Sequence, residues 1–258
     1  VRTALFWNTY AKDLEWFHYS LKSFAKFARG WDYAICLVPN NDFYLFQQPC
    51  EDFGVTLFSE DEWPGLGFNW HQLWQCQADI LFPVADIFFH MDADTVFTKP
   101  SRPEHWLRKE RIIASHHTFE YLNSVNTWGS GMWKSRVDAA LGGDVKLSTM
   151  IAKPYVHHRN VYAKLREQVE ARHGVSFHDY VRSCENSFPQ GFCEFETLGA
   201  IAQEFFADRY EWESLNKFCH PSDGRIAEGW SHGGLDYVTS DRFDGKLSAR
   251  QFYRTLGL

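Results

Sequence analysis

Asp92 and Asp94 stand one residue apart at the end of an apolar run, Ala85-Asp86-Ile87-Phe88-Phe89-His90-Met91. In an extended chain residues i and i+2 point the same way, so the two carboxylates would face one site. Held side by side they repel unless a cation sits between them. An oxygen-preferring divalent ion, Mg²⁺ or Mn²⁺, suits such a pair, and these ions commonly bridge to substrate phosphates. The same Asp-x-Asp spacing also serves as a solvated turn that closes a strand.

The elements that must carry this pair follow from hydrophobic periodicity. Residues 2–8 read as a buried strand, and Asp13 can cap a helix over 14–28, where Leu14, Phe17, Leu21, Phe24 and Ala28 recur at helical spacing. A second strand over 33–38 stops at Pro39-Asn40-Asn41. A short helical piece over 42–48, a third strand over 54–58 and a helix over 69–82 lead into a fourth strand, Ile87–Met91. This alternation predicts an α/β fold, a mostly parallel central sheet flanked by helices. Ligands of such sheets bind beyond the carboxyl ends of the strands. Thr9-Tyr10, Asn40 and the Asp92–Asp94 pair all fall there.

The later half reads as less regular. A short strand over 112–115 and helices over 135–141, 160–173 and 196–207 stand out. No repeat, low-complexity run or linker divides the chain, so 1–258 is expected to be a single domain.

Composition narrows the class. With 45% hydrophobic and 23% charged residues the chain is ordinary for a globular protein. Its 17% aromatic content, with eleven Trp, is not. Flat rings suit sugar faces, and they also simply fill a core. A net charge of −7 argues against a nucleic-acid groove, yet leaves room for an anionic nucleotide whose charge a metal meets. Six cysteines without a C-x-x-C pair read as reduced core residues, a Cys184–Cys193 bridge being the lesser alternative. No apolar stretch reaches membrane-spanning length. The expected location is cytoplasmic, or peripheral at a membrane surface. A start without Met is expected of a chain trimmed from a longer one.

On these residues the chain resembles the GT-A nucleotide-sugar-dependent glycosyltransferases, of bacterial or viral polysaccharide type. The likeness is carried by the opening strand with Thr9-Tyr10, the helix Gln72-Leu73-Trp74-Gln75-Cys76-Gln77-Ala78-Asp79, and Asp92-Ala93-Asp94-Thr95-Val96-Phe97-Thr98-Lys99-Pro100. It covers most of the first 135 residues and is diffuse afterwards. Many relatives carry a Lys in the helix before the motif, where this chain has Gln75.

The resemblance implies a Rossmann-like nucleotide-sugar half over 1–100 and an acceptor half over 101–258. It implies transfer of a sugar from a nucleoside diphosphate, a UDP-sugar foremost, to a hydroxyl of a saccharide or other acceptor, with inversion, in glycan or polysaccharide synthesis. Mn²⁺ or Mg²⁺ would be held at Asp94 and Asp92, with Asp94 the direct ligand and Asp92 reaching the ribose or the metal's second shell. Thr9, Tyr10, Asn40 and Gln75 would contact the nucleotide. His232, in Trp230-Ser231-His232-Gly233-Gly234, resembles a late metal ligand; a surface loop histidine is the alternative. Glu194, then Glu196, would be the general base, although both also suit the first turn of a helix by dipole alone. Trp128–Trp133 would line the sugar pocket or pack the core, and Arg159 would meet the diphosphate or begin a solvated helix. Competing readings are a nucleotide-sugar-binding module without catalysis and a D-x-D phosphatase, whose required Thr position holds Phe97.

Overall fold

Thr3–Asn8 (β1) is buried at all six positions, as a strand covered on both faces must be. The computed structural model describes residues 1–125, 132–150, 153–214, 225–230, 237–239 and 248–258, the backbone alone for 125, 228–230 and 237–239. Phe6 and Trp7 show how β1 is covered, because successive strand residues point to opposite faces. Trp7 packs edge-on against Phe17 and Phe24 of the helix Leu14–Phe27 (α1). Phe6 meets His90 on the other face.

Tyr33–Pro39 (β2), Phe43–Phe53 (α2) and Thr56–Glu60 (β3) follow. Helix α2 continues through Pro49 and stops at Gly54, which takes a left-handed φ of 67° that side chains disfavour. The helix expected over 69–82 is two helices, Gly67–Gln75 (α3) and Ala78–Leu81 (α4). The break has a visible cause. Arg166 donates to the Cys76 carbonyl at 3.0 Å and forks onto both Asp79 oxygens at 2.7 Å, drawing that carbonyl out of the helical ladder.

Ile87–Met91 (β4) lies between β1 and the strand Tyr155–His158 (β9), in the order β3-β2-β1-β4-β9. β1, β2, β3 and β4 run parallel, so the central sheet is mostly parallel with helices on both faces, as expected. Thr95–Phe97 (β5) leaves it for another sheet.

The later half is more regular than its sequence suggested. Leu107–Arg108 (β6), Arg111–Thr118 (β7), Phe119–Val125 (α5), Lys134–Leu141 (α6) and Leu147–Ser148 (β8) lead to Tyr155–His158 (β9). Arg159–His173 (α7), Phe177–Ser183 (α8), Glu194–Phe205 (α9) and Tyr210–Ser214 (β10) complete this part. β10 adds parallel to β7 in a second sheet. Ile226–Trp230 (β11) and Tyr237–Thr239 (β12) join β5, and Ala249–Thr255 (α10) packs near α1. Among the described residues no helix is long and apolar enough to cross a membrane. Cys36, Cys50, Cys76, Cys184 and Cys193 are free thiols, so Cys184 and Cys193 are not bridged; Cys219 lies outside the described residues.

Candidate active site

The carboxyl edge of the parallel strands gathers the polar side chains. Asn8 ends β1 and, since Trp7 pairs with Met91, sits beside the start of the Asp92 segment. Its Nδ2 donates to the His71 carbonyl at 2.9 Å, tying β1 to α3. Gln75 lies one turn on, its Nε2 2.6 Å from Nε2 of His71. With the amide donating, the neutral ring keeps its proton on Nδ1. Burial lowers the His71 pKa first, with Lys153 helping and Asp92 opposing. Asn8 Oδ1, Thr9 Oγ1 and Gln75 Oε1 are buried without a hydrogen-bond partner among the described residues. Buried polar atoms are normally satisfied, so such a group of orphans marks where a polar ligand would be received.

The Asp-x-Asp segment is not extended. The Thr95 N–H donates to the Asp92 carbonyl at 3.0 Å, closing a turn, so strand alternation does not relate the two carboxylates. The turn reading was the correct alternative for the backbone. Two helices hold this turn in place. Ser20 of α1 accepts from Trp7 Nε1 at 2.9 Å and donates to the Thr95 carbonyl at 2.7 Å, while Ser23 accepts from the Phe97 N–H at 3.0 Å. Tyr253 of α10 donates to the Asp94 carbonyl at 2.6 Å. Serines on a helix that is otherwise apolar on this side have a clear use: they are small enough to let β5 approach and polar enough to bind its backbone.

The two aspartates have different company. Asp92 is ion-paired to Lys153, whose side chain is 5% exposed. Asp94 lies near Tyr10, whose hydroxyl pKa is raised by burial first, then by the charges of Asp13 and Asp94. Asn40, also at the edge, donates to Asp61 at 2.6 Å across the β2–β3 ends.

Glu194 opens α9 and is 5% exposed. Burial pushes its carboxyl up to about 8; the Asp92 charge adds to the rise, and Lys153 and the N–H groups of Glu194 and Phe195 oppose it. Glu196, two residues on, turns elsewhere. It accepts hydrogen bonds from Ser148 Oγ and, at 2.7 Å, from the Thr149 N–H, so it anchors β8 to α9. Its pKa is also raised by burial, against those donors. Asp92, His71, Lys153 and Glu194 therefore form one neighbourhood, Asp94 lies on its Tyr10 side, and Glu196 stands apart.

The position of β9 decides between the two readings of Arg159, which begins α7. β9 runs antiparallel to β4, with His90 opposite Tyr155 and Ile87 opposite His158. Arg159 is thus at the far edge, its N–H on the Asp86 carbonyl at 2.9 Å, and offers no cation to this site. Lys153, just before the strand, does. Sequence reasoning passed over Lys153 and His71, since neither belongs to a spaced motif. Trp133 packs between Phe68 and Phe188 rather than standing free. Residues 126–131 and His232 lie outside the described residues.

Among the described residues no group of three or more His, Cys, Asp or Glu side chains is placed to hold a metal ion. Asp92 and Asp94 do supply the hard oxygen donors that Mg²⁺ or Mn²⁺ takes, one or two carboxylates being usual when substrate phosphates complete the sphere. The donor chemistry fits that group. No protein-family model matches the chain, and no curated protein matches it.

Proposed function

We propose that the chain is a metal-dependent glycosyltransferase of the GT-A kind, moving a sugar from a nucleoside diphosphate sugar, a UDP-sugar foremost, to a hydroxyl acceptor with inversion. The observation that carries this reading is the meeting of Asp92 with Glu194, whose carboxyl is raised to about 8, at the carboxyl edge of a parallel sheet. Ligands of open α/β sheets bind at that edge, and a base poised near the working pH suits abstraction of a hydroxyl proton.

In this mechanism Asn8, Thr9 and Gln75 receive the nucleotide with their unsatisfied polar atoms. Glu194, once ionised, takes the acceptor proton on a carboxylate oxygen and holds it as the new glycosidic bond forms. A divalent ion held by Asp94 and Asp92 would supply positive charge to the departing diphosphate. Free thiols at the described cysteines accord with a cytoplasmic setting.

The test is a screen of common nucleotide sugars with Mn²⁺, measuring nucleoside diphosphate release with and without EDTA. Release that needs metal supports the reading. Calorimetric binding of UDP and Mn²⁺ without release from any donor would leave a binding module instead. Absence of both would end the proposal.

A further inference from the structure

Trp106, Tyr155, Tyr210 and Trp212 line a cavity of about 60 Å³ where β9 meets the sheet of β7 and β10. A water molecule needs roughly 10–15 Å³ of such space, so there is room for about four, or for one edge of a small ring. Tyr210 is fully buried, Trp212 is half-buried, and their rings stack at 5.0 Å. A flat aromatic wall thus leads from the core toward solvent. His157 joins the lining from β9 and is 6% exposed. Its Nδ1 and the Trp212 Nε1 are buried without a hydrogen-bond partner among the described residues. Two orphaned polar atoms, from two different strands, therefore belong to residues that line one aromatic cavity. Buried polar atoms are normally satisfied, and a few of them among aromatic faces are what a small-molecule site presents.

We propose that this cavity is a saccharide subsite, where hydroxyls along one edge of a sugar ring meet His157 and Trp212 and a C–H face lies against the aromatic wall. A hydroxyl both donates and accepts. It therefore satisfies the imidazole nitrogen in either tautomer, and also the indole N–H, which only donates. An ammonium group would leave the indole unanswered. Burial keeps His157 neutral, its pKa lowered to about 3, so the imidazole asks for no counter-charge. Lys153 also lines the cavity and is ion-paired to Asp92, which sets the cavity beside the proposed active site. Glu194 is not part of its lining. The ring seated here is accordingly a sugar residue of the acceptor other than the one that reacts. That last step alone rests on the glycosyltransferase reading; the binding of a sugar does not.

Saturation-transfer NMR titrations with methyl glycosides and disaccharides of glucose, galactose, mannose and N-acetylglucosamine, without metal or nucleotide, test the cavity on its own. At least one of these sugars should bind. Trp212→Phe keeps an aromatic face, removes the N–H and should weaken that binding at least five-fold. His157→Phe should do the same by removing the ring nitrogens. Ala114 lines the cavity and pairs with Trp212 across β7 and β10, so Ala114→Leu should fill the space and abolish binding even if the His157 variant does not fold. The proposal is overturned if none of these sugars binds, or if a folded Trp212→Phe or Ala114→Leu protein retains the binding in full. The glycosyltransferase reading is judged separately, by metal-dependent release of nucleoside diphosphate, and stands if that release is seen. If sugar binds as described and no donor is turned over, the saccharide site stands and its place in an acceptor falls.

Discussion

The Glu194 N–H donates to Gln72 Oε1 at 3.3 Å, which registers the first turn of α9 against α3. Helix α3 also carries His71 and Gln75, so one contact fixes the buried acid relative to the polar edge of β1. A carboxyl in that position is buried by two helices rather than by chance on a surface, and this is why its proton is held so firmly.

Glu194→Gln keeps the shape and the backbone contact while removing basicity. It should lower turnover by roughly 10²–10⁴-fold with donor affinity little changed. On the proposed function, kcat/KM of the unaltered protein should rise with pH toward about 8, the pKa of Glu194 in the ligand-free protein. Stability has the opposite trend. The folded pKa lies above the ordinary 4.5, so the contribution of this group is full below 4.5 and is lost as pH rises through about 8. Urea unfolding between pH 6 and 9 should show the Gln variant losing less stability than the parent. Equal slopes, or normal turnover, would remove the assignment.

Asp94→Asn should nearly abolish metal-dependent turnover and leave the fold intact, because Tyr253 holds the Asp94 main-chain carbonyl and not its side chain. Circular dichroism and the urea midpoint report the fold; nucleotide release at saturating Mn²⁺ reports the activity. Full activity of this variant, or undiminished turnover in excess EDTA, contradicts a metal role.

His157 is buried on β9 and its pKa is lowered to about 3. His71 and His90 shift in the same direction, chiefly by burial. A base whose folded pKa is depressed contributes stability that is complete above its unfolded pKa of about 6.5 and drains away as pH falls toward the folded value. For His157 this amounts to about 1.4 kcal/mol of lost stability per pH unit across that window. His157→Gln should flatten the pH dependence of the unfolding free energy between pH 5.5 and 4 by about this slope. Parallel curves for the two proteins would show that His157 does not stay neutral in the fold.

Arg166 and Asp79 have side chains 16% and 11% exposed and meet through two 2.7 Å bonds. Removing one partner of a buried pair costs about 3–5 kcal/mol, because the other charge is stranded. Arg166→Ala should lose that much by urea denaturation, and Arg166→Lys should recover little, since an ammonium cannot reproduce the fork. A loss below about 1 kcal/mol would place the pair among weak surface contacts.

The central parallel strands of the first 91 residues were legible because strands covered on both faces are unbroken apolar runs, and Ala4–Trp7 and Ile87–Met91 are such runs. Glu194 was legible as an acid opening a late helix. The aspartate pair was found, but its backbone was not, because the turn depends on Ser20, Ser23 and Tyr253 reaching in from distant segments. The α3–α4 break escaped for the same reason: Arg166 sits 90 residues from the Cys76 carbonyl it captures. β9 is four residues long and ends in two histidines, so it has neither the length nor the alternation of a strand signal. Lys153 gave no sign, since its ion pair with Asp92 spans 61 residues of chain.

That span has a consequence for how the protein is made. Until Tyr155–His158 has left the ribosome, β4 has a neighbour on its β1 side alone. Its other margin exposes the backbone of Ile87-Phe88-Phe89, an apolar edge of the kind that pairs with other chains. A polypeptide released before residue 155 should therefore clump, and one that extends past residue 158 should have its sticky margin sealed.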